Sequence, residues 1–208
     1  MCVIQDFYLN RILDTLRKHH NKKYITLDEE FHKDVNWLKK FVSQFNGVTI
    51  FQKTEAKFQV HLDACLTGVG AVCDKEVYHS KIPEKVLHLD IAILEMLNIL
   101  IALRVWAKNW KNQIVHVKCD NKAVVEVLNN GKTKNIHLAA ISRNIFITSA
   151  TFDIELRVSH VFGKNNPVAD LLSRWHQVQD ASVKLELLLK NSQEIFIGNE
   201  HFTIDYNI

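Results

Sequence analysis

The stretch LDIAILEMLNILIALRVW, residues 89–106, is the most apolar long run in the chain, and any fold must cover it. Its apolar residues recur at helical spacing. It also carries Asp90, Glu95, Asn98 and Arg104, too much charge for a membrane span. A helix of this kind belongs in the core of a globular domain. Glu95 is then a problem, because its neighbours Ile91, Leu94 and Ile99 are apolar. Burying an unpaired carboxylate is costly, so Glu95 needs a cation: a nearby lysine or a metal ion.

The flanking sequence supplies the cover. KFQVHLD alternates Phe58, Val60 and Leu62 against Gln59, His61 and Asp63, as a half-buried strand does. Gly68 marks a turn, VGAVC a second strand, Asp74-Lys75 another turn and EVYH a third strand, together an antiparallel meander. QIVHVKC, residues 113–119, is a valine-rich strand. NKAVVEVLN, residues 121–129, is a short helix closed by Asn130-Gly131, and residues 136–150 form another helix. FDIELRVSH, residues 152–160, alternates as a strand, and a last helix starts at Pro167. The order β-β-β-α-β-α-α-β-α gives an α/β fold, a mixed sheet with helices on its faces.

Before this domain, DEEFHKDVNWLKKFVSQF sets Phe31, Val35, Leu38, Phe41, Val42 and Phe45 on one helical stripe. Asp28 is its expected N-cap and Asn46-Gly47 its expected stop. The expected division is a helical segment at 1–55, the α/β domain at 56–178, and a tail at 179–208 that mixes a helical LELLL with a strand-like EIFI.

Of the chain's 208 residues 47% are hydrophobic, and only 6 are Gly and 2 Pro, so a sizeable core is within reach and a linker-rich chain is excluded. A formal charge of +3 permits a nucleic-acid partner without demanding one. Cys2, Cys65, Cys73 and Cys119 form no C-x-x-C pair and read as buried thiols in a reducing compartment. With no basic-then-apolar leader, the expectation is an intracellular protein, cytoplasmic or nuclear, with no membrane partner.

Four acids take special places in this layout. Asp63 ends the first strand and points away from Phe58, Val60 and Leu62. Glu95 lies mid-helix, Asp120 ends the VHVKC strand, and Asp170 falls in the first turn of the last helix, behind Asn166 as N-cap and Pro167 at the first helical position. For Asp170 alone, a favourable helix dipole of about 0.3–1 kcal/mol is reason enough. Asp63 and Asp120 are different: strand ends on one sheet edge converge, and like charges that close repel. A pair of divalent cations meets that repulsion. Oxygen ligands without a histidine or cysteine cage suit Mg2+ or Mn2+.

At these residues the sequence resembles a ribonuclease H domain. The four acids of that family match Asp63 in HLDACLTGVGAV, Glu95 in AILEMLNILIAL, Asp120 in VKCDNKAVVEVLN and Asp170 in HVFGKNNPVADLLSR. His160 and Asn166 fit the family's histidine-bearing loop before the last aspartate. CDNKAVV and NPVADLLSR are similar to retroelement reverse transcriptases of the DIRS type, and LDEEFHKDVNWLKKFVSQFNGV resembles the segment joining polymerase to RNase H there. No Y-x-D-D motif occurs, Cys65 stands where many relatives have serine, HVFG replaces the commoner HIPG-like loop, and the short NNGKTKN link leaves no room for an extended basic handle.

The resemblance implies an RNase H-like mixed five-stranded sheet flanked by helices, with an N-terminal helical extension and a polymerase domain upstream in a longer polyprotein. It implies hydrolysis of the RNA strand of RNA–DNA hybrids by two Mg2+ ions, or Mn2+, roughly 3.5–4 Å apart. Asp63 would bridge them, Glu95, Asp120 and Asp170 would complete the ligand set, and His160 would shuttle a proton. Gly68 and Gly70 would let the strand edge approach a sugar-phosphate backbone, with Asn121 and Asn166 as further substrate contacts; a plain N-cap is the other reading of Asn121. Lys122, Lys132, Lys134 and Arg143 are candidate phosphate contacts. The alternative is a catalytically silent retroelement remnant that binds nucleic acid or a partner protein. An enzyme for a small phosphorylated ligand is disfavoured by the lack of a glycine-rich phosphate loop.

Overall fold

Strand β1 (Phe58–Ala64) is the axis of the sheet. It pairs antiparallel with β2 (Gly68–Cys73) in a register that sets Asp63 opposite Gly70, and β2 pairs antiparallel with β3 (Glu76–Lys81). On its other side β1 runs parallel to β4 (Ile114–Cys119), which runs parallel to β5 (Glu155–His160). The meander and the strand–helix–strand unit therefore both form as the periodicity indicates. This is a computed structural model that describes residues 26–44, 55–177 and 181–206, together with Arg17, Lys22 and Tyr24.

Among the described residues the sheet has six strands, not five, in the order β5-β4-β1-β2-β3-β6. The extra one, β6 (Gln193–Glu194), comes from the tail and runs parallel to β3. Two residues carry no period, so alternation could not announce this strand. The tail as a whole packs on the domain. Ile197 and Phe202 enter the main core, Lys85 donates to the Asn199 carbonyl at 2.7 Å, and Arg104 donates to the His201 carbonyl at 2.6 Å.

Helix α2 (Ile91–Trp106) is covered nearly all round, with every residue from Ile93 to Leu103 buried. It lies between the sheet face carrying Val60 and Leu62 and helix α4 (Ile136–Thr151). Helix α3 (Lys122–Asn130) precedes α4 and ends on Gly131 in the left-handed conformation, φ 65°, where glycine avoids the Cβ penalty. Helix α5 (Pro167–Arg174) covers the opposite face over β1 and β2, and α6 (Ala181–Leu189) packs Leu185 with Leu172 of α5 and Val77 of β3.

Helix α1 (Glu29–Gln44) is capped by Asp28, whose carboxylate accepts from the Phe31 amide at 2.8 Å. It meets α4 through an ion pair between buried Asp34 and buried Arg143, 3.9 Å apart, beside buried Trp37. Arg143 is thus an internal anchor for α1 rather than a phosphate contact. Phe31 and Val35 of the expected stripe are half-buried; the side chains of Leu38, Phe41 and Val42, together with Phe45 and the Asn46-Gly47 stop, lie outside the described residues.

Candidate active site

The C-terminal ends of β1 and β4 lie side by side, and both carry an acid inward. Asp63 and Glu95 are each only 3% exposed. Asp63 leaves the sheet on the face opposite Val60 and Leu62, where the Ser173 hydroxyl of α5 donates to its Oδ2. Glu95 reaches the same edge from α2: its Oε1 accepts from the Ala64 amide at 3.0 Å, and the Cys119 thiol lies 3.9 Å from its Oε2. Potential ligand atoms of Glu95, Cys119 and Asp120 lie within 4.8 Å of one another. Asp170, on the first turn of α5, is half exposed and accepts from Arg174 Nε at 2.6 Å.

These acids feel one another. Burial, opposed by the Ser173 hydrogen bond and reinforced by Asp120 and Asp170, pushes the Asp63 carboxyl up to about 6. Burial and the Asp63 charge push Glu95 well above the ordinary carboxylate range, against the Ala64 amide, which favours the anion. Asp120 is also raised, chiefly by burial, while His160 and Arg174 pull the other way. The arrangement is anion-rich and short of positive charge at its centre.

That donor set fits divalent cations. Cys119 does not change the reading. Burial, then the Glu95 charge, push its thiol far above its ordinary value, and sulfur is a soft donor beside hard carboxylates. The hard donors of the Glu95, Cys119 and Asp120 group are Glu95 and Asp120; Asp63 and Asp170 lie outside it but near enough for the acids to feel one another's charge.

His160 stands at the end of β5, with Nε2 3.0 Å from the Asp120 carbonyl. A carbonyl only accepts, so Nε2 carries the proton and the ring braces the turn that presents Asp120. Exposed Phe162 meets the same ring edge-on at 5.3 Å. Asn121 caps α3, its Oδ1 accepting from the Val124 amide at 3.3 Å, which leaves the NH2 end as donor.

Three residues expected to face substrate have internal tasks instead. A Cβ on Gly68 would collide with the Ser173 carbonyl and come within 2.8 Å of His176 Cε1; one on Gly70 would collide with the Leu172 side chain and lie 2.6 Å from the Ser173 nitrogen. Both glycines let α5 sit directly on β2. Asn166 is buried. Its Nδ2 donates to the Leu62 carbonyl at 2.9 Å, and its Oδ1 accepts from His61 Nδ1 at 3.2 Å. Its side chain makes no cap bond; it staples the start of α5 to β1.

Two residues support the acids in a way the sequence does not announce. Hydroxyls on a helix are common, and only the tertiary fold aims that of Ser173 at Asp63. Asn98 is buried, donating to the Asp63 and Gly70 carbonyls at 2.8 and 3.0 Å while its Oδ1 accepts from the Tyr78 hydroxyl at 2.7 Å. An amide one turn after Glu95 on an apolar helix was the available signal.

Residues 75–176 match the family model described as reverse transcriptase-like. The match runs from the β2–β3 turn through α5 and so includes Glu95, Asp120, His160 and Asp170. The remaining acid, Asp63, lies on the central strand of the sheet order β5-β4-β1-β2-β3, in which β2 alone is antiparallel to both its neighbours. The matched residues, just under half of the chain, are similar to that reverse transcriptase-like family. Among solved structures, a ribonuclease H1 from the halophilic archaeon Halobacterium salinarum is 17% identical over 61% of this chain and 98% of its own, with a TM-score of 0.48. The N-terminal RNase H domain of a Mycobacterium tuberculosis protein, solved as a fusion with maltose binding protein, is 19% identical over 63% of this chain and 99% of its own, with a TM-score of 0.47. No curated protein sequence matches the chain. Among the described residues, no helix is long and apolar enough to cross a membrane.

Proposed function

We propose that the ribonuclease H-like domain hydrolyses the RNA strand of RNA–DNA hybrids, as the RNase H part of a DIRS-like retroelement reverse transcriptase whose polymerase domain lies upstream. The observation that carries the reading is the convergence of buried Asp63 and Glu95 with half-buried Asp120, three acids that repel one another, with half-exposed Asp170 near enough to add its charge. Similarity of CDNKAVV and NPVADLLSR to retroelement sequences, with the reverse transcriptase-like match, supports the origin.

Asp63, Glu95, Asp120 and Asp170 would hold two Mg2+ ions. When bound, such ions acidify water and offset the charge that develops on the leaving oxygen. The chain's own residues supply the positioning. Ser173 fixes the Asp63 carboxylate, the Ala64 amide and the Cys119 thiol fix Glu95, and His160 fixes the Asp120 turn. With Nε2–H committed to Asp120, Nδ1 is the His160 atom that takes up and returns a proton beside the cleaved phosphate. The Asn121 NH2 group heads α3 next to Asp120 and donates to the substrate backbone. Hybrid is chosen over DNA through its 2′-hydroxyls and helical shape rather than its base edges. Lys122, Lys132 and Lys134 are exposed and can meet phosphates.

The test is substrate choice. Purified protein with Mg2+ cuts the RNA strand of a labelled hybrid and leaves a DNA duplex and an RNA duplex of the same sequence intact. Equal cutting of all three would overturn the assignment.

A further inference from the structure

The Asp170–Arg174 pair is the one place where this acid cluster meets a full positive charge at ion-pair distance among the described residues, 2.6 Å from Nε to Oδ1. The two sit one turn apart on α5, so the helix itself fixes their spacing. The guanidinium charge is felt by Asp63 and Asp120 as well as Asp170. Both partners are roughly half exposed, 45% and 53%. An exposed pair of this kind is held weakly, and a divalent ion on Asp170 displaces it.

A displaced Arg174 has somewhere to go. It lines a cleft of about 630 Å3 between α5 and α6, with Asp170 and Leu171 on one wall and Lys184, Leu187 and Asn191 on the other. The cleft begins at a candidate metal ligand and is lined mainly by apolar side chains, with Arg174 and Lys184 as the two cations that can meet a phosphate. Arginine's planar fork matches phosphate as well as it matches carboxylate.

We propose that Arg174 is an exchangeable counter-ion: it neutralises Asp170 until a divalent cation takes that carboxylate, and it then binds a backbone phosphate of the substrate strand lying in the α5–α6 cleft. This rests on the nuclease reading above. Arg174 is a positioning residue for the metal-free site and a binding residue for the loaded one. Its removal therefore has two effects of opposite sign, which a merely structural role does not produce.

The experiment compares wild type, Arg174→Gln and Arg174→Lys in two measurements. Calorimetric titration with Mn2+ reports cation affinity without any turnover. Expected is about two- to fivefold tighter Mn2+ binding in Arg174→Gln, the range an exposed ion pair can withhold. Steady-state cleavage of a labelled hybrid in Mg2+, over a series of salt concentrations, reports strand binding. Expected is a several-fold higher KM in Arg174→Gln, with the slope of log KM against log salt reduced by about one, as for loss of a phosphate contact. Arg174→Lys keeps the charge and falls between the two in both measurements; it carries the test if circular dichroism shows Arg174→Gln unfolded. Unchanged or weaker Mn2+ binding in the variants overturns the counter-ion. Tighter Mn2+ binding with unchanged KM and salt slope overturns the transfer to substrate. A wild-type protein that cuts no hybrid overturns the nuclease reading, and the proposal's substrate half falls with it, while the Mn2+ titration still decides the counter-ion half.

Discussion

Ser173 of α5 donates its hydroxyl proton to Asp63 of β1, joining two elements 110 residues apart at the centre of the acid cluster. The bond keeps an acid that burial would neutralise in its charged form and fixes which way its oxygens face. Ser173→Ala removes both effects. A hydrogen bond to a charged group is worth about 1.5–3 kcal/mol. The variant is expected to lose about that much stability in urea denaturation with Mg2+ present and to bind Mn2+ several-fold more weakly.

The metal-free site should make the fold pH-sensitive. Asp63 goes from an ordinary value of 3.8 to about 6 on folding, so the folded protein holds that proton more tightly than the unfolded chain. The Asp63 contribution to stability is therefore fully present below about pH 3.8 and is lost as pH rises through about 6, by up to about 3 kcal/mol. In EDTA, Asp63→Asn should flatten this decline and leave the protein more stable than wild type at pH 7.5. Mg2+ should restore wild type at pH 7.5 far more than at pH 4.5. Denaturant midpoints across pH check all three.

Gly70→Ala places a methyl group against the Leu172 side chain and 2.6 Å from the Ser173 nitrogen. Overpacking of this kind costs about 1–3 kcal/mol. Because Ser173 and Asp170 ride on α5, displacement of that helix should lower kcat by more than tenfold while secondary structure by circular dichroism is kept.

Asn98→Leu removes an amide that joins β1, β2 and Tyr78. The Tyr78 hydroxyl keeps the backbone carbonyl of residue 98, 3.1 Å away, but the Asp63 and Gly70 carbonyls lose a buried donor, at about 1–3 kcal/mol. The expected result is a fall in thermal midpoint of roughly 5 °C or more, or failure to fold at 37 °C.

The sheet and the helix order were legible because Val60, Leu62, Val115 and Val117 alternate or cluster as strands, and because residues 91–106 repeat at helical spacing. The acids stood out for a physical reason: Glu95 makes no sense in its helix without a positive partner. What the letters could not carry was tertiary. Gly68 and Gly70 look like permissive edge positions until α5 is laid across them. Arg143 looks like a surface cation until Asp34 of α1 is set against it. Ile197 and Phe202 are isolated apolar residues in an aperiodic tail, so nothing local foretold their place in the core, and β6 is too short to have a period.

The central claim is that four acids from distant parts of the chain form one cutting centre. Its most direct measurement is cleavage of an end-labelled RNA–DNA hybrid by wild type and Asp63→Asn, with Mg2+ and with EDTA. The account predicts RNA-strand products only for wild type with Mg2+, and no cutting by Asp63→Asn, which keeps wild-type circular dichroism. Folded wild-type protein that binds Mg2+ and leaves the hybrid whole, or an Asp63→Asn variant that cuts as fast as wild type, would contradict it.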